Sequence, residues 1–575
     1  MESTYAVIPL APCKPLAQNR ERERSGLAPP RRVRVYPVRM FSMRRLPAFA
    51  LLAFTVGTAA AKAQSPIAAQ IDALLNDPRA ESAHIGVAVT KLDGTPVYMH
   101  DAGKHFRPAS VTKLYTSATA FALLGPEKRF STKIMAYGPI DAEGTLHGKL
   151  MLIGGGDANF AGREPIPYVA PSSLPKGAKP TKGPGLADFD TLVAQVKSHG
   201  IRRIDGSIGL DVTRFEDTPY GEGWSVDDLL WGYGAPASAL VVHDNMVDVL
   251  ITDPAPGDAG PRRADVAVDP QVPYFVVDAS LLNVGPTYPS NQVFVTRGDQ
   301  PGKLRVSGVL NGKLGMDHEH LAIEQPNAYA MSAFRQAMQQ GGFGPQNSTE
   351  LSALPETQEA SFSAEVRKVL PLPATCPAEP HVAPAAASQP TPQTMVAELR
   401  SPTLAEDAVY TLKESQNLHA EMMLRNTGVE KTCDPSLKRA LQVERSFLVN
   451  TAGLKSDDFM FYDGSGMSAK DLVTPRSTVA LLLFARQQAW FPQWKMALPI
   501  AGFDGTLGSR FKSSAAKGHV FAKTGTLGES RGLAGYIEMP GKDPLAFAIF
   551  TEDHTPGSSG DREVMDAIVE AIAAQ

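Results

Sequence analysis

Cysteine is scarce in this chain: three residues among 575, none with the companion spacing of a metal site. No His, Cys, Asp and Glu cluster suggests metal ligands, which sets metal-centred chemistry aside, and nothing in the sequence implies a cofactor. The apolar stretch Leu46–Val56 stops well short of the ~20 residues that span a bilayer. Positive charge is lacking as well. Residues 64–575 carry 45 basic and 57 acidic side chains, formally −12, a poor basis for non-specific binding to nucleic acid or an anionic membrane. No internal repeat points to a solenoid.

What remains is the composition of a globular protein, 43% apolar and 20% charged. A length of 575 residues exceeds what one hydrophobic core usually organises, so two or more domains are expected. Near the beginning, Met43-Arg44-Arg45 precedes Leu46–Val56, and Ala61-Lys62-Ala63 follows with small residues at alternate positions. That order is the order of an export signal, with cleavage expected after Ala63 and a retained anchor as the lesser alternative. Met43 is then read as the start and residues 1–42 as upstream text, against the competing reading of a basic nucleic-acid-binding arm. Only Cys376 and Cys433 survive such a cleavage. An oxidising compartment permits them to pair, but spacing alone does not establish it.

Along the chain, a helix is expected around Gln70–Leu75, strands over Ile85–Leu92 and Thr95–Met99, and a helix over 110–124 ended by Gly125-Pro126. Short β-like runs follow: Thr132–Ala136, Lys149–Ile153, Ile204–Leu210, Asn245–Ile251, Gln292–Thr296 and Leu304–Val309, then a helix over Asn327–Gly341. Beyond the Pro/Ala-rich insertion at 371–392, Ser415–Arg425 reads as a helix closed by Gly428, and Ser477–Phe484 as another. Phe521–Ala522, Leu533–Glu538 and Leu545–Thr551 look like successive antiparallel strands, and Arg562–Ala573 like a final helix. The expected organisation is an α/β catalytic domain split into 66–140 and 360–575. A mainly β accessory region at 141–359, with two subdomains, interrupts it, and 1–63 precedes it.

Three separated motifs carry chemistry. In Ser110-Val111-Thr112-Lys113, a helical turn sets Ser110 and Lys113 on a common face. Serine is a weak nucleophile, and a neutral amine beside it can act as its base if burial or positive charge lowers the lysine pKa. Ser415-Gln416-Asn417, at a second helix start, places a hydroxyl and an amide where they could relay a proton and orient groups. Lys523-Thr524-Gly525, after Val520-Phe521-Ala522, puts a cation, the Thr524 and Thr526 hydroxyls and a close-approach glycine on a strand edge. Singly, each also reads as a helix cap or an ordinary edge strand. As an ordered set they form a known acyl-transfer signature.

With these motifs the chain resembles the low-molecular-mass class C penicillin-binding proteins, the D-alanyl-D-alanine carboxypeptidase/endopeptidase family. The resemblance extends to Arg107–Leu114, Gly223–Leu229, Ala235–Leu240, Asp463–Ser468, Leu498–Leu507 and Lys523–Leu527, and covers Pro66 to Ala574. It implies a serine β-lactamase/penicillin-binding transpeptidase-like fold, an antiparallel sheet flanked by helices, interrupted by the inserted region. It implies attack by Ser110 on a penultimate D-alanine carbonyl with help from Lys113, and an oxyanion hole of the Ser110 and Thr526 N–H groups. Ser415, Asn417 and Lys523 complete the catalytic set, with Thr524, Gly525 and Thr526 on the substrate. Peptidoglycan stem peptides and cross-links are the implied partners, β-lactams the implied covalent inhibitors, and the periplasm the implied location. Asp211, with Phe215 packed near it, resembles the acidic contributor to the diaminopimelate pocket. Ala469-Lys470 and Gly528 depart from the basic residue and glutamine that some relatives have, which weakens the case for a distal carboxylate contact. Two other functions stay open at this point: a β-lactamase-like hydrolase or esterase, and a non-enzymatic cell-wall-binding protein. Peripheral membrane contact and oligomeric state are left open too.

Overall fold

The strand His84–Lys91 is buried along six consecutive residues, so it needs partners on both edges and cover on both faces. Leu545–Glu552 supplies one edge and Pro96–His100 the other, both antiparallel. Ser530–Ile537 and Val520–Leu527 complete a five-stranded sheet with Val520–Leu527 outermost on one side and Pro96–His100 on the other. Side chains alternate between its faces. Ile85, Val87, Val89, Phe547 and Ile549 meet the helices Pro66–Leu75 and Gly560–Ala574. Ala88, Ala546, Ala548 and Phe550 turn instead to a core holding Leu114, Phe121, Leu441, Leu482 and Trp494.

This computed structural model describes residues 66–170, 174, 181–252, 261–285, 289–312, 316–345, 349–356, 362–373, 376 and 392–575. The export signal, its cleavage after Ala63, residues 1–42 and most of the Pro/Ala-rich stretch lie outside them. Among the described residues, no helix is long and apolar enough to cross a membrane.

A second five-stranded sheet runs in the order Thr349–Leu354, Arg203–Glu216, Thr145–Ile153, Ser131–Tyr137, Gln393–Arg400. It mixes parallel and antiparallel pairs and carries the helices Ala187–Ser198 and Pro326–Gln340. Two smaller sheets, of three and four strands, fill out the β-rich region between 246 and 322. Most of the expected β runs appear as strands within a residue or two of their expected ends, Lys149–Ile153 being the tail of Thr145–Ile153 and Ile204–Leu210 part of Arg203–Glu216. The strand Gln393–Arg400 was not foreseen, because the Pro/Ala-rich text before it masks its alternation. It closes the accessory sheet by pairing with Ser131–Tyr137.

Two expectations about helix ends need correction. Ser110 lies in a 3-10 turn, Ala109–Val111, and the α-helix proper is Thr112–Leu124. Gly428 does not close the helix that follows Ser415, which runs Asn417–Thr432 and ends at Cys433 in a left-handed conformation (φ 57°). Gly428 instead lets the helix Leu437–Asn450 approach: a Cβ there would stand 2.6 Å from the Ala440 Cα. Helices Leu404–Lys413 and Leu437–Asn450, missed in the sequence, pack around it.

The helix Asn417–Thr432 is buried from Asn417 through Gly428. Leu418 and Met422 belong to the core of the accessory region, Met423 and Leu424 to the core beneath the catalytic sheet. Its C-terminal Cys433 pairs with Cys376, with Cα atoms 5.5 Å apart and a separation of 57 positions in sequence. Cross-linking a loop of that size should contribute roughly 2–4 kcal/mol. Cys433→Ser is expected to lose that much in urea unfolding; an unchanged midpoint would mean that packing alone holds the segment.

Candidate active site

Ser110 sits where the chain turns from Pro108 into the helix Thr112–Leu124, preceded by Ala109 in a left-handed conformation (φ 47°). Two glycines press on this turn. A Cβ on Gly466 would stand 1.8 Å from the Ala109 carbonyl oxygen, and one on Gly525 would stand 2.5 Å from that of Pro108. Neither position admits a side chain without moving the backbone that carries the serine.

Lys113 is fully buried one turn on. Its Nζ lies 2.9 Å from Ser110 Oγ, 2.6 Å from Asn417 Oδ1 and 2.7 Å from the Ser465 carbonyl oxygen. The last two are acceptors only. Asn417 is oriented that way because its Nδ2 donates to the Tyr233 carbonyl at 2.8 Å. A neutral amine has two N–H bonds and one lone pair. Spending both N–H bonds on Asn417 and Ser465 leaves the lone pair facing the Ser110 hydroxyl, the geometry of a base awaiting a proton. Burial pushes the Lys113 pKa down to about 7, against the opposing charges of Asp463 and Glu421.

Lys523, equally buried, donates to Ser415 Oγ at 2.9 Å and to the Thr524 carbonyl at 2.8 Å. Burial, and after it the charge of Lys113, drives its pKa well below the ordinary lysine range. Two buried amines so close disfavour a second proton on the pair. Ser415 has a left-handed backbone (φ 62°) immediately before the helix Asn417–Thr432. Thr524 shares a 2.7 Å hydrogen bond with Thr506, and Thr526 is exposed further along the outermost strand.

The structure thus brings together Ser110, Lys113, Ser415, Asn417 and Lys523, with Thr524, Gly525 and Thr526 along one side. It does not join Asp211 or Phe215 to them. The Asp211 carboxylate accepts from the Thr213 N–H and hydroxyl at 2.9 and 2.6 Å, and Phe215 is buried in the accessory core. His105, five residues before Ser110, contacts the Asp457 carbonyl at 2.8 Å. Lys470 pairs with Glu222 on the surface.

Sequence reasoning missed Asp463. Its carboxylate accepts from the backbone N–H groups of Ser465, Gly466 and Ser468 and from Trp224 Nε1, coiling the Asp463–Ser468 loop so that the Ser465 carbonyl meets Lys113. The signal was there as D-G-S-G, a carboxylate followed by close-approach glycines. Only the fold shows what the carboxylate holds.

A family model described as the D-Ala-D-Ala carboxypeptidase 3 (S13) family matches residues 67–367 and 382–575. A D-alanyl-D-alanine carboxypeptidase from an Actinomadura species is 28% identical over 515 residues, covering 88% of this chain and 84% of that protein. The D-alanyl-D-alanine carboxypeptidase DacB of Haemophilus influenzae is 22% identical over 481 residues, 83% of this chain and 87% of that one. The crystal structure of penicillin binding protein 4 from H. influenzae superposes with a TM-score of 0.68 at 20% identity, over 88% of this chain and 98% of that one.

The buried amine has a signature of its own. In isotope-labelled protein, the Lys113 side chain is expected to titrate near pH 7, not near its ordinary 10.5. Below about pH 7 both folded and unfolded chains hold the proton. Between there and 10.5 only the unfolded chain does, so Lys113 makes the fold more stable as pH rises through that window. A Lys113 midpoint above 9 by NMR, against the expected value of about 7, would sink the base assignment.

Proposed function

Because this chain belongs to the D-Ala-D-Ala carboxypeptidase 3 (S13) family, it is a serine-type peptidase of D-alanyl bonds, and we propose that Ser110 is its nucleophile. The observation that carries the proposal is the Lys113 amine, 2.9 Å from Ser110 Oγ with its other two directions taken by obligate acceptors. Peptidoglycan stem peptides are the substrates, β-lactams the covalent inhibitors, and the periplasm the place of action. Export through a signal cleaved after Ala63 belongs to the same reading.

In the proposed reaction the stem peptide lies extended along the outer edge of Val520–Leu527 beyond Ala522, where the bridge between Ile500 and Phe521 ends. Ser110 Oγ attacks the carbonyl carbon of the penultimate D-alanine while Lys113 takes the hydroxyl proton. The N–H groups of Ser110 and Thr526 receive the developing oxyanion. As the C–N bond breaks, the leaving nitrogen takes the proton that Lys113 gained, passed on through the Ser415 hydroxyl, which Lys523 orients from 2.9 Å, and Lys113 is neutral again. Water then attacks the acyl-enzyme, Lys113 again acting as base, and Ser110 is restored. A terminal carboxylate of the substrate beside Lys523 would favour a proton there, opposing the burial and the Lys113 charge that hold its pKa down. The same steps cleave a D-alanyl-diaminopimelate cross-link when the leaving nitrogen belongs to a neighbouring side chain, so the reading includes endopeptidase action.

The test is intact-mass measurement and peptide mapping after benzylpenicillin treatment, with the acylation rate followed against pH. One adduct per chain on Ser110 is expected, absent from Ser110→Ala. The rate should climb about tenfold per pH unit up to pH ~7, where Lys113 loses its proton, and level off above. Rapid turnover of β-lactam with no release of D-alanine from a stem peptide would favour a β-lactamase-like hydrolase instead.

A further inference from the structure

Five consecutive residues, Lys413 to Asn417, are each tied down by a side-chain or backbone partner. Lys413 donates to Asp504 and the Leu498 carbonyl, and Ser415 accepts from Lys523. The other three are held by the inserted region. Tyr168 donates to Glu414, the Gln416 amide donates to Asp244 at 3.2 Å, and Asn417 donates to the Tyr233 carbonyl at 2.8 Å. Gln416 stands between the two residues that touch Lys523 and Lys113.

Asp244 reaches Gln416 from an unusual turn. His243, Asp244 and Asn245 all have left-handed backbones, with φ of 55°, 55° and 49°. Left-handed non-glycine residues cost of order 1–3 kcal/mol each and persist only where their surroundings over-determine them. Here Asn245 bonds the Val242 N–H and the Pro236 carbonyl, and His243 meets the Met246 carbonyl. At the tip, the Asp244 carboxylate is 1% exposed. It accepts from Tyr410 at 3.0 Å and from Gln416, and stands 3.6 Å from His419 Nε2. His419 lies in the first turn of the helix Asn417–Thr432, and its Nδ1 is 2.6 Å from Asp407, which also accepts from Asn159 at 3.0 Å. Burial disfavours charge on His419, but Asp407 and Asp244 outweigh it and raise its pKa to about 10. Burial likewise opposes ionisation of Asp244, yet His419 holds it down to about 2.

We propose that Asp244 is a positioning residue for Ser415, Gln416 and Asn417, and that the inserted region, through this turn, completes the active site. A charge buried so deeply is a costly way merely to join two domains, since apolar contact would do so at lower desolvation cost. What the ionic cluster adds is direction: it fixes the first helical turn and the amide beside it in one orientation.

The inference rests on the acyl-transfer reading for its readout, and the two can fail separately. Asp244→Asn keeps the volume and removes the charge. Its benzylpenicillin adduct should still reach one per folded chain, because that stoichiometry counts folded sites. The acylation rate per site should fall about 10- to 100-fold, the cost of slightly misplaced catalytic groups. With a D-alanyl peptide, kcat should fall and KM stay near its unmodified value. A merely structural role would lower the number of labelled sites and leave the rate at each unchanged, and a rate within about twofold of the unmodified protein overturns the proposal. If Asp244→Asn does not fold, Gln416→Glu, which keeps an oxygen to cap the Leu418 N–H and loses the amide that donates to Asp244, decides by the same criterion. Failure of the unmodified protein to form an adduct overturns the acyl-transfer reading itself.

Discussion

A primary amine can stand uncharged beside a serine only where water is kept from it and its hydrogen-bonding directions are spoken for. Lys113 meets both conditions: it is fully buried, and Asn417 and Ser465 take its two N–H bonds. Each of those partners imposes a further requirement. Asn417 faces Lys113 with its oxygen because the Tyr233 carbonyl claims its nitrogen. Ser465 offers its carbonyl because Asp463 has drawn the neighbouring N–H groups onto itself. The close-approach glycines exist so that these loops can reach the serine turn. Much of the chemistry of the cleft follows from keeping one nitrogen dry and correctly surrounded.

The helix Asn417–Thr432 shows how that requirement spreads. A helix buried on all sides is usually apolar all round. This one carries His419, Glu421, Arg425, Asn426 and Thr427 into the interior. Glu421 accepts from the Gly464 N–H, Asn426 donates to the Gly156 carbonyl, and His419 is held between two carboxylates. The polar residues act as addresses. Glu421, Asn426 and His419 each meet a fixed partner outside the helix and so fix its rotation about its axis, where apolar packing would tolerate several rotations.

The three motifs were legible because each is a short string whose chemistry is local: a serine and an amine a turn apart, a strand edge with a lysine and a glycine. Most strands of both sheets were legible from alternation. Asp244 was not, because its partners His419 and Gln416 lie more than 170 residues away in sequence. The helix Leu437–Asn450 was missed because its buried Gln442, Glu444 and Arg445 disguise an inward face as a solvated one. The expected stop at Gly428 failed for a related reason. A glycine that ends a helix and one that admits a neighbouring helix are the same letter, and only the packing tells them apart.

The catalytic sheet has a consequence for the order of events during biosynthesis. Its strand His84–Lys91 pairs with Leu545–Glu552, so more than 450 residues separate the two halves of the ladder. At a synthesis rate of roughly 5–20 residues per second, that interval lasts on the order of half a minute or more. Until the last strands arrive, the first pair has no cover on one edge, and the nucleophile turn has no Gly525 strand against it. The accessory sheets, whose strands lie closer together in the chain, can form during the wait. The catalytic sheet is therefore incomplete until its last strands are made, and its reactive centre is among the last parts to be completed.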